Sequence, residues 1–315
     1  MKAIVRDAYG PPDVLRCEEI PKPTPSDDEV LIKVRAASVN PLDWHTLRAV
    51  PFFLRLMGDG IRKPKNRQLG VDVAGEVEAV GRNVQSFRPG DAVFGACDFR
   101  GFAEYACVRE DRLAPKPRGA TFEQAAAVPV AALSALQALR DKGRIRPGQR
   151  VLIHGASGGV GTFAVQIAKA FEAEVTAVCR TRGLETVRSL RADHVIDSTK
   201  EDCTRSGKRY DLIVDTAAYR PVADYRRALS SDGIYVMVGG AFGRIFQVLL
   251  WRLISRRMSF MIAKMNKQDL LCLKELLETG KVVPVLDRCY PLSETAEALR
   301  YLGEIHPRGK VVITV

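Results

Sequence analysis

The chain lacks the features that mark membrane-spanning, disulfide-bonded or thiolate-metal proteins. Its seven cysteines include no Cys-x-x-Cys pair, which argues against a disulfide framework and against a thiolate metal site. No stretch approaches the roughly 18 uncharged apolar residues that a membrane span requires, and the opening MKAIVRDAYG has no apolar signal core. We therefore expect a soluble, cytoplasmic protein.

Histidine is scarce, and no hydrolase signature is present. The four histidines, His45, His154, His194 and His306, have no mutual spacing that suggests a metal site or a catalytic triad. The GASGG segment lacks the Gly-x-Ser-x-Gly form of a nucleophile elbow. His154 lies inside an apolar run, so we expect a buried histidine with one hydrogen bond.

Length and charge leave several functional classes open. The 315 residues, 46% of them hydrophobic, are enough for about two domains. The net charge of +11 would suit nucleic acid, an anionic membrane surface or a phosphorylated small molecule. A basic surface without a function is an equally simple interpretation.

The hydrophobic pattern changes near Thr121. The first 115 or so residues alternate short β-rich runs with turn signals and predict a mostly antiparallel β domain. After an alanine-rich helix, strands and helices alternate, which predicts a parallel sheet. The expected strands of this sheet are RVLIHGAS, EVTAVCR, HVIDS, DLIVDTA and GIYVMVGG. Near the end we expect a helix over KQDLLCLKELLETG, a helix capped by Ser293, and a final strand, GKVVITV.

The glycine-rich stretch VLIHGASGGVGTFAVQIAKA predicts a dinucleotide site. In a βαβ unit the first turn lets backbone amides approach a pyrophosphate at a helix N-terminus, and side chains would block that approach. The expected cradle comprises Gly155, Ala156, Ser157, Gly158, Gly159, Val160 and Gly161. A tight strand-to-helix turn without a ligand is the alternative.

The end of the next strand bears on the choice of nucleotide. NAD-binding sites usually offer an acidic residue to the adenosine ribose at this point. Here the sequence VTAVCRTRG has no carboxylate, and Arg180 and Arg182 flank Thr181. Two guanidiniums and a hydroxyl suit a 2′-phosphate, so we predict NADP(H). The arginines could instead only solvate a loop.

Several stretches together resemble the medium-chain dehydrogenase/reductase superfamily, in its zinc-free quinone oxidoreductase-like branch. They include VLIKVRAASVNPLDW, LGVDVAGEVEAVG, FRPGDAVFG, the glycine stretch and GKVVITV. The resemblance covers nearly the whole chain. It implies an α/β fold: a GroES-like β-barrel catalytic domain at 1–117, completed by 264–315, and a Rossmann doubly wound parallel-sheet domain at 118–263. It also implies a cofactor cleft between the domains and a homodimer.

The sequence departs from the zinc-dependent relatives at their ligand positions. Asn40 stands where those relatives place a cysteine, and Val71 and Asp72 follow Gly70 where they have Gly-His-Glu. We therefore expect no metal. Hydride transfer from the nicotinamide to an electron-poor acceptor, a quinone or an α,β-unsaturated carbonyl, then needs one hydrogen-bond donor for the developing negative oxygen. We predict that Asn40 supplies this donor, although Asn before Pro41 is also a turn signal.

Further site residues follow from the resemblance and from the expected strand ends. Val128 and Pro129 are similar to the family segment near the nicotinamide, and Gly239 and Gly240 follow an expected strand of the parallel sheet. The candidate substrate-pocket residues are Trp44, Phe52, Phe53, Tyr219 and Phe242. Trp44 could equally belong to the core.

Two basic, apolar stretches have no single assignment. Residues 233–268 contain no Asp or Glu yet carry six basic residues, and RAVPFFLRLMGDGIRKPKNRQ mixes apolar and basic side chains in the same way. A positively rimmed pocket for an apolar acceptor is the simplest interpretation, and a dimer contact also fits. The alternative is a basic amphipathic helix that forms a peripheral membrane face or a partner-binding face.

The leading hypothesis is an NADPH-dependent, zinc-independent reductase of quinones or activated alkenes. A weakly catalytic or non-catalytic protein that binds RNA or membranes is the second. No RNA-binding module is visible, and the basic clusters are not interleaved with aromatic side chains, so nucleic acid is the less favoured partner. An enoyl reductase of polyketide type is a third alternative.

Overall fold

The computed structural model describes residues 1–50, 60–240, 242–255 and 257–315, without the side chains of residues 242, 253 and 254. The chain divides into two compact units. Unit 1 comprises Met1–Val130, Met265–Glu278 and Leu286–Val315, and unit 2 comprises Ala131–Lys264 and Thr279–Val285.

The helices and strands of the described residues are numbered in chain order. The strands are β1 (Lys2–Arg6), β2 (Leu15–Glu19), β3 (Glu29–Val39), β4 (Asp72–Val80), β5 (Ala92–Ala96), β6 (Tyr105–Arg109), β7 (Leu113–Pro115), β8 (Arg150–His154), β9 (Glu174–Cys179), β10 (His194–Asp197), β11 (Tyr210–Asp215), β12 (Leu229–Val238), β13 (Met258–Met261), β14 (Leu286–Pro291) and β15 (Lys310–Thr314). The helices are α1 (Pro41–Arg48), α2 (Phe122–Ala126), α3 (Pro129–Gln137), α4 (Gly159–Ala170), α5 (Leu184–Ser189), α6 (Val222–Ala228), α7 (Phe242–Ile254), α8 (Lys267–Glu278) and α9 (Thr295–Ile305).

Unit 1 is built on a mostly antiparallel sheet, as the sequence predicts. Its strand order is β14-β15-β3-β4-β5-β7, and β6 pairs with β3. The last strand of the chain, β15, pairs antiparallel with β3, so that Val311 lies opposite Val39. The C-terminal residues thus complete the N-terminal sheet. Apolar side chains of β3, β4, β5 and β6 form one of its core clusters.

Residues 118–130 group with unit 1, whereas the sequence placed them in the Rossmann domain. Helix α2 packs against β3 and β4. The backbone N–H of Val130 donates to the carboxylate of Asp72 on β4, at 2.9 Å. These contacts draw the segment toward the sheet of unit 1.

Unit 2 contains a six-stranded sheet in the order β10-β9-β8-β11-β12-β13, and each neighbouring pair is parallel. This is the strand order of a doubly wound dinucleotide-binding sheet, and the α/β fold class is therefore confirmed. The apolar runs predicted as strands form β8 to β12. Because all strands run the same way, their carboxyl ends share one edge.

Residues 279–285 also group with unit 2, although they interrupt the C-terminal part of unit 1. The side-chain amide of Gln166 on α4 explains this placement, because it donates to the carbonyl of Val283 and accepts from its N–H, at 3.0 and 2.8 Å. His154 on β8 is 5% exposed and hydrogen-bonded to Tyr225, as expected. Burial lowers the pKa of this histidine.

The N-cap predicted at Ser293 is wrong. A short 3-10 turn occupies Leu292–Glu294, and α9 begins only at Thr295, whose hydroxyl donates to the carbonyl of Leu292 at 2.7 Å. In unit 2, the sequence offered α7 only as an alternative, a basic amphipathic helix, and it offered no counterpart for β13. Within the part of the chain that the structure describes, every helix is too short or too polar to cross a bilayer.

Candidate functional site

The predicted glycine turn connects β8 to α4. Gly155 adopts a φ of +81°, and its N–H and that of Ala156 both donate to the carbonyl of Val178 at 3.0 Å. Gly158 is the N-cap of α4 and provides no side-chain cap. The first N–H groups of this helix therefore point out of the turn without an intrahelical partner, which is the usual arrangement of an anion site.

The space around the turn explains the glycine at position 161. A Cβ added to Gly161 would lie 2.1 Å from the carbonyl oxygen of Gly155, which no side chain can tolerate. Gly158 is different, because its φ is −82° and an added Cβ would lie 3.4 Å from that oxygen. The fold requires Gly161, whereas Gly158 leaves room in front of the helix terminus. That room suits a close approach of a nucleotide diphosphate.

The two predicted arginines follow β9 at the same sheet edge. Arg180 and Arg182 are both exposed, and the guanidinium of Arg180 lies 5.4 Å from the ring centre of Tyr219. Gly183, the next residue, packs against Ser157, since a Cβ on Gly183 would come within 2.5 Å of the Ser157 side chain. The arginine loop and the glycine turn are thus in direct contact.

A carboxylate that the sequence interpretation did not consider lies beside Thr181. The hydroxyl of Thr181 donates to Asp197, at the end of β10, at 2.7 Å. Thr199 donates to the other oxygen of Asp197 from both its N–H and its hydroxyl. These bonds, led by that from Thr181, hold the pKa of Asp197 below its ordinary value. The Thr181 hydroxyl is therefore engaged within the protein, and each Asp197 oxygen accepts at least one hydrogen bond.

The remaining strand ends also meet at this edge. Gly239 and Gly240 follow β12 with φ values of +70° and +118°, and Gly240 approaches the side chain of Ala218. Tyr219, in the loop after β11, is 54% exposed and lies next to Arg180. The structure places Tyr219 with a predicted cofactor residue, and its predicted role in a substrate pocket has no support from these contacts.

The predicted catalytic residue Asn40 belongs to a buried polar cluster in unit 1. The cluster consists of Ser38, Asn40, Asp43, Asp72 and Lys310, each of them at most 3% exposed. Lys310 donates to the Asn40 side-chain oxygen at 2.6 Å and to Asp72 at 3.3 Å. Asp72 also accepts from the side chains of Ser38 and Asn40, at 2.7 and 2.9 Å. These hydrogen bonds offset the free-energy cost of removing the Asp72 carboxylate and the Lys310 ammonium from water.

The donors of Asn40 are all engaged within this cluster. Its side-chain NH₂ donates to Asp72 at 2.9 Å and to the carbonyl of Ser38 at 3.3 Å. Since the Ser38 contact is the longer one, a substrate oxygen would have to replace it. The catalytic role of Asn40 therefore stays a prediction, and the structure adds a positioning role at the N-cap of α1.

Asp43 holds the loop that carries Asn40. Its two oxygens accept the N–H groups of Asn40 and Gly70, at 2.8 and 3.1 Å. Burial, which outweighs these bonds, and the nearby Asp72 raise the pKa of Asp43 to about 7. The carboxyl is therefore a titratable group near neutral pH within the cluster.

The predicted cofactor segment at the start of α3 is tied to this cluster. Val128 and Pro129 are buried, and the next residue, Val130, donates its N–H to Asp72 at 2.9 Å. Trp44, by contrast, packs into the core of unit 1 against Gly303 of α9. The core alternative for Trp44 therefore fits the structure better than a pocket wall.

Three predicted substrate residues cannot be placed. Phe52 and Phe53 lie outside the described residues, as does the side chain of Phe242. Within residues 1–50, 60–240, 242–255 and 257–315, no group of three His, Cys, Asp or Glu side chains could hold a metal ion.

The sequence interpretation missed Lys310, Asp197 and the role of Asp72. Lys310 and Asp72 are 238 positions apart, so no local pattern could pair them. A sequence signal for Lys310 was nevertheless present, because a lysine opens an otherwise apolar final strand, KVVIT. A charged residue at the start of a buried strand is a candidate for a buried ion pair.

Comparison with known proteins identifies both parts of the chain. Residues 26–118 match the alcohol dehydrogenase GroES-like domain, and residues 190–313 match the family described as zinc-binding dehydrogenase.

Individual relatives extend this similarity over nearly the whole chain. The chain is 32% identical to the chloroplastic quinone-oxidoreductase QR1 of Triphysaria versicolor, covering 99% of this chain and 98% of that protein. It is 34% identical to the chloroplastic NADPH-dependent alkenal/one oxidoreductase of Arabidopsis thaliana, covering 99% and 79%. The solved quinone oxidoreductase of Coxiella burnetii is 31% identical with a TM-score of 0.89, covering 100% and 99%. The chain therefore belongs to the medium-chain dehydrogenase/reductase superfamily, in its quinone oxidoreductase-like branch, and is an oxidoreductase of that type.

Proposed function

We propose that this protein is an NADPH-dependent, zinc-independent reductase of quinones or α,β-unsaturated carbonyls. The glycine turn at the N-terminus of α4 carries the proposal, because the first N–H groups of this helix have no intrahelical partner and Gly158 leaves room in front of them for a diphosphate. The names of two relatives, a quinone oxidoreductase and an NADPH-dependent alkenal/one oxidoreductase, support the acceptor class.

The arginine loop supports NADPH over NADH. Asp197 is 7% exposed and already accepts three hydrogen bonds, one from Thr181 and two from Thr199, so little of this carboxylate is offered to a ribose hydroxyl. Arg180 and Arg182 are exposed beside it and suit the charge of a 2′-phosphate. The bound nicotinamide would supply a hydride to the acceptor.

Lys310 supports zinc independence. The resemblance aligns Asn40 and Asp72 with the Cys and Glu positions of zinc-dependent relatives, and in the structure both side chains bind the Lys310 ammonium. The negative charge of Asp72 is therefore balanced by a side chain of the protein. A second cation at this point would meet the positive charge of Lys310.

A substrate panel tests the proposed activity directly. NADPH and NADH are each offered with several quinones, enals and enones, and the loss of nicotinamide absorbance is followed. We expect turnover with NADPH on at least one of these acceptors. Absence of oxidation with every acceptor would refute the reductase assignment. The homodimer and the cytoplasmic location remain predictions.

Gly158→Ala is expected to separate nucleotide binding from folding. The added methyl group fits the protein, so we expect an unchanged Tm. Because it occupies space in front of the α4 N-terminus, we also expect NADPH affinity to fall at least about tenfold, which corresponds to the loss of about one charge-assisted hydrogen bond. Thermal melting and calorimetric titration measure the two quantities. Gly161→Ala is the contrasting variant, in which the clash with Gly155 should lower Tm. Full NADPH affinity in Gly158→Ala would contradict the assigned cradle.

Asn40→Ala is expected to lower turnover. Loss of a donor to a developing negative oxygen costs about 100-fold in kcat, whereas NADPH affinity should change little. Ser38→Ala is the matched control, because Ser38 also donates to Asp72 yet has no predicted contact with substrate. Steady-state kinetics and nucleotide titration of both variants distinguish the roles. Unchanged kcat in Asn40→Ala would remove this residue from the mechanism.

A further inference from the structure

Helix α7 presents an apolar face to solvent. Phe246, Leu249 and Leu250 are 53%, 46% and 46% exposed. Their i, i+3, i+4 spacing places the three side chains on one face. The opposite face of α7 packs on unit 2, since Val248 is fully buried and Ile245 and Trp251 contact the core of that unit. The three exposed side chains are not among the residues that pack against this core cluster.

Two exposed arginines lie at the C-terminal end of this helix. Arg252 on α7 and Arg257 just beyond it are exposed. Arg226 of the neighbouring α6 lies on the other side of the helix, where it stacks on Trp251 at 5.1 Å. No Asp or Glu occurs anywhere in residues 233–268. The nearby Asp224 already pairs with Arg227 at 2.7 Å. The apolar face is thus bordered by positive charge.

We propose that the face formed by Phe246, Leu249 and Leu250, with its arginine border, docks the protein on an anionic lipid bilayer. Apolar side chains of such a helix enter the boundary between headgroups and acyl chains while the basic residues contact anionic headgroups. A second copy of the chain fits less well. A two-fold contact through this face would bring two arginine borders together, and like charges at an interface oppose association. The inference does not depend on the reductase assignment.

Vesicle flotation of the full-length protein tests the proposal. We expect flotation with vesicles of phosphatidylcholine and phosphatidylglycerol, little with phosphatidylcholine alone, and weaker flotation at high salt. A variant that combines Phe246→Ser, Leu249→Ser and Leu250→Ser should bind the anionic vesicles at least about tenfold more weakly. Arg252→Gln with Arg257→Gln should weaken binding and reduce its salt dependence.

Leu271→Ser on α8 is the matched control, because Leu271 is 42% exposed in the other unit. This variant should float like the unchanged protein, and all variants should keep their Tm because the altered side chains are exposed. Flotation independent of lipid charge, or undiminished in the triple serine variant, would overturn the proposal. So would a triple variant that dissociates in sedimentation velocity, since that result identifies the face as a subunit contact.

Discussion

Replacement of Lys310 by Met is expected to destabilise unit 1 by about 3–5 kcal/mol. Lys310 and Asp72 are 3% and 0% exposed, and the variant leaves the Asp72 carboxylate buried without its counter-charge. Removing one partner of a buried ion pair lowers the free energy of unfolding by this amount because the remaining charge stays buried and is not solvated by water. Urea unfolding measures the loss in a Trp251→Phe background, in which Trp44, packed in the core of unit 1, is the remaining tryptophan.

A second substitution shows whether charge is the cause. Asp72→Asn combined with Lys310→Met removes both charges, so the double variant should lose less free energy of unfolding than the sum of the single variants. Lys33→Met is the control, because Lys33 is exposed on β3 of the same sheet. A loss in Lys310→Met no larger than that in Lys33→Met would show that the pair does not stabilise the cluster.

Removal of both guanidiniums beside Thr181 is expected to abolish the preference for NADPH. The double variant Arg180→Ala, Arg182→Ala loses two charge-assisted hydrogen bonds to the phosphate. This loss should weaken NADPH binding by about 100-fold. NADH has no 2′-phosphate, so its affinity should change by less than about threefold, as for loss of exposed charges elsewhere. Calorimetric titration with both nucleotides measures the change.

Arg209→Ala provides the matched control for charge. Arg209 is exposed and precedes β11, at the amino-terminal edge of the same parallel sheet, so it lies away from the strand ends that carry the predicted site. This variant should retain the nucleotide preference of the unchanged protein. If the double arginine variant still favoured NADPH strongly, another group would have to bind the phosphate.

Short sequence patterns correctly predicted those helices, strands and turns that are determined mainly by neighbouring residues. The strands β8 to β12 are short apolar runs between turn residues, and the glycine turn has a recognisable strand before it and a helix after it. The start of α9 was misplaced because a 3-10 turn and α9 share one apolar pattern. Helix α7 was predicted only as an alternative, since its apolar residues lie on both the buried and the exposed faces.

The site was predictable only where neighbours in sequence are neighbours in space. The nucleotide turn and the arginine loop are contiguous segments, and both were found. The cluster around Asn40 joins residues from β3, β4 and β15, and the pairing of Asp72 with Lys310 depends on closure of the sheet by the last strand. Because the paired residues are far apart in the sequence, no short motif could have indicated that they meet.

A crystal structure of the protein with bound NADPH tests the central claim most directly. We expect a diphosphate against the N–H groups at the start of α4, beside Gly158, and a 2′-phosphate bound by Arg180 and Arg182. NADPH bound at another place, or a glycine turn filled by the protein's own side chains in crystals of active enzyme, would contradict it.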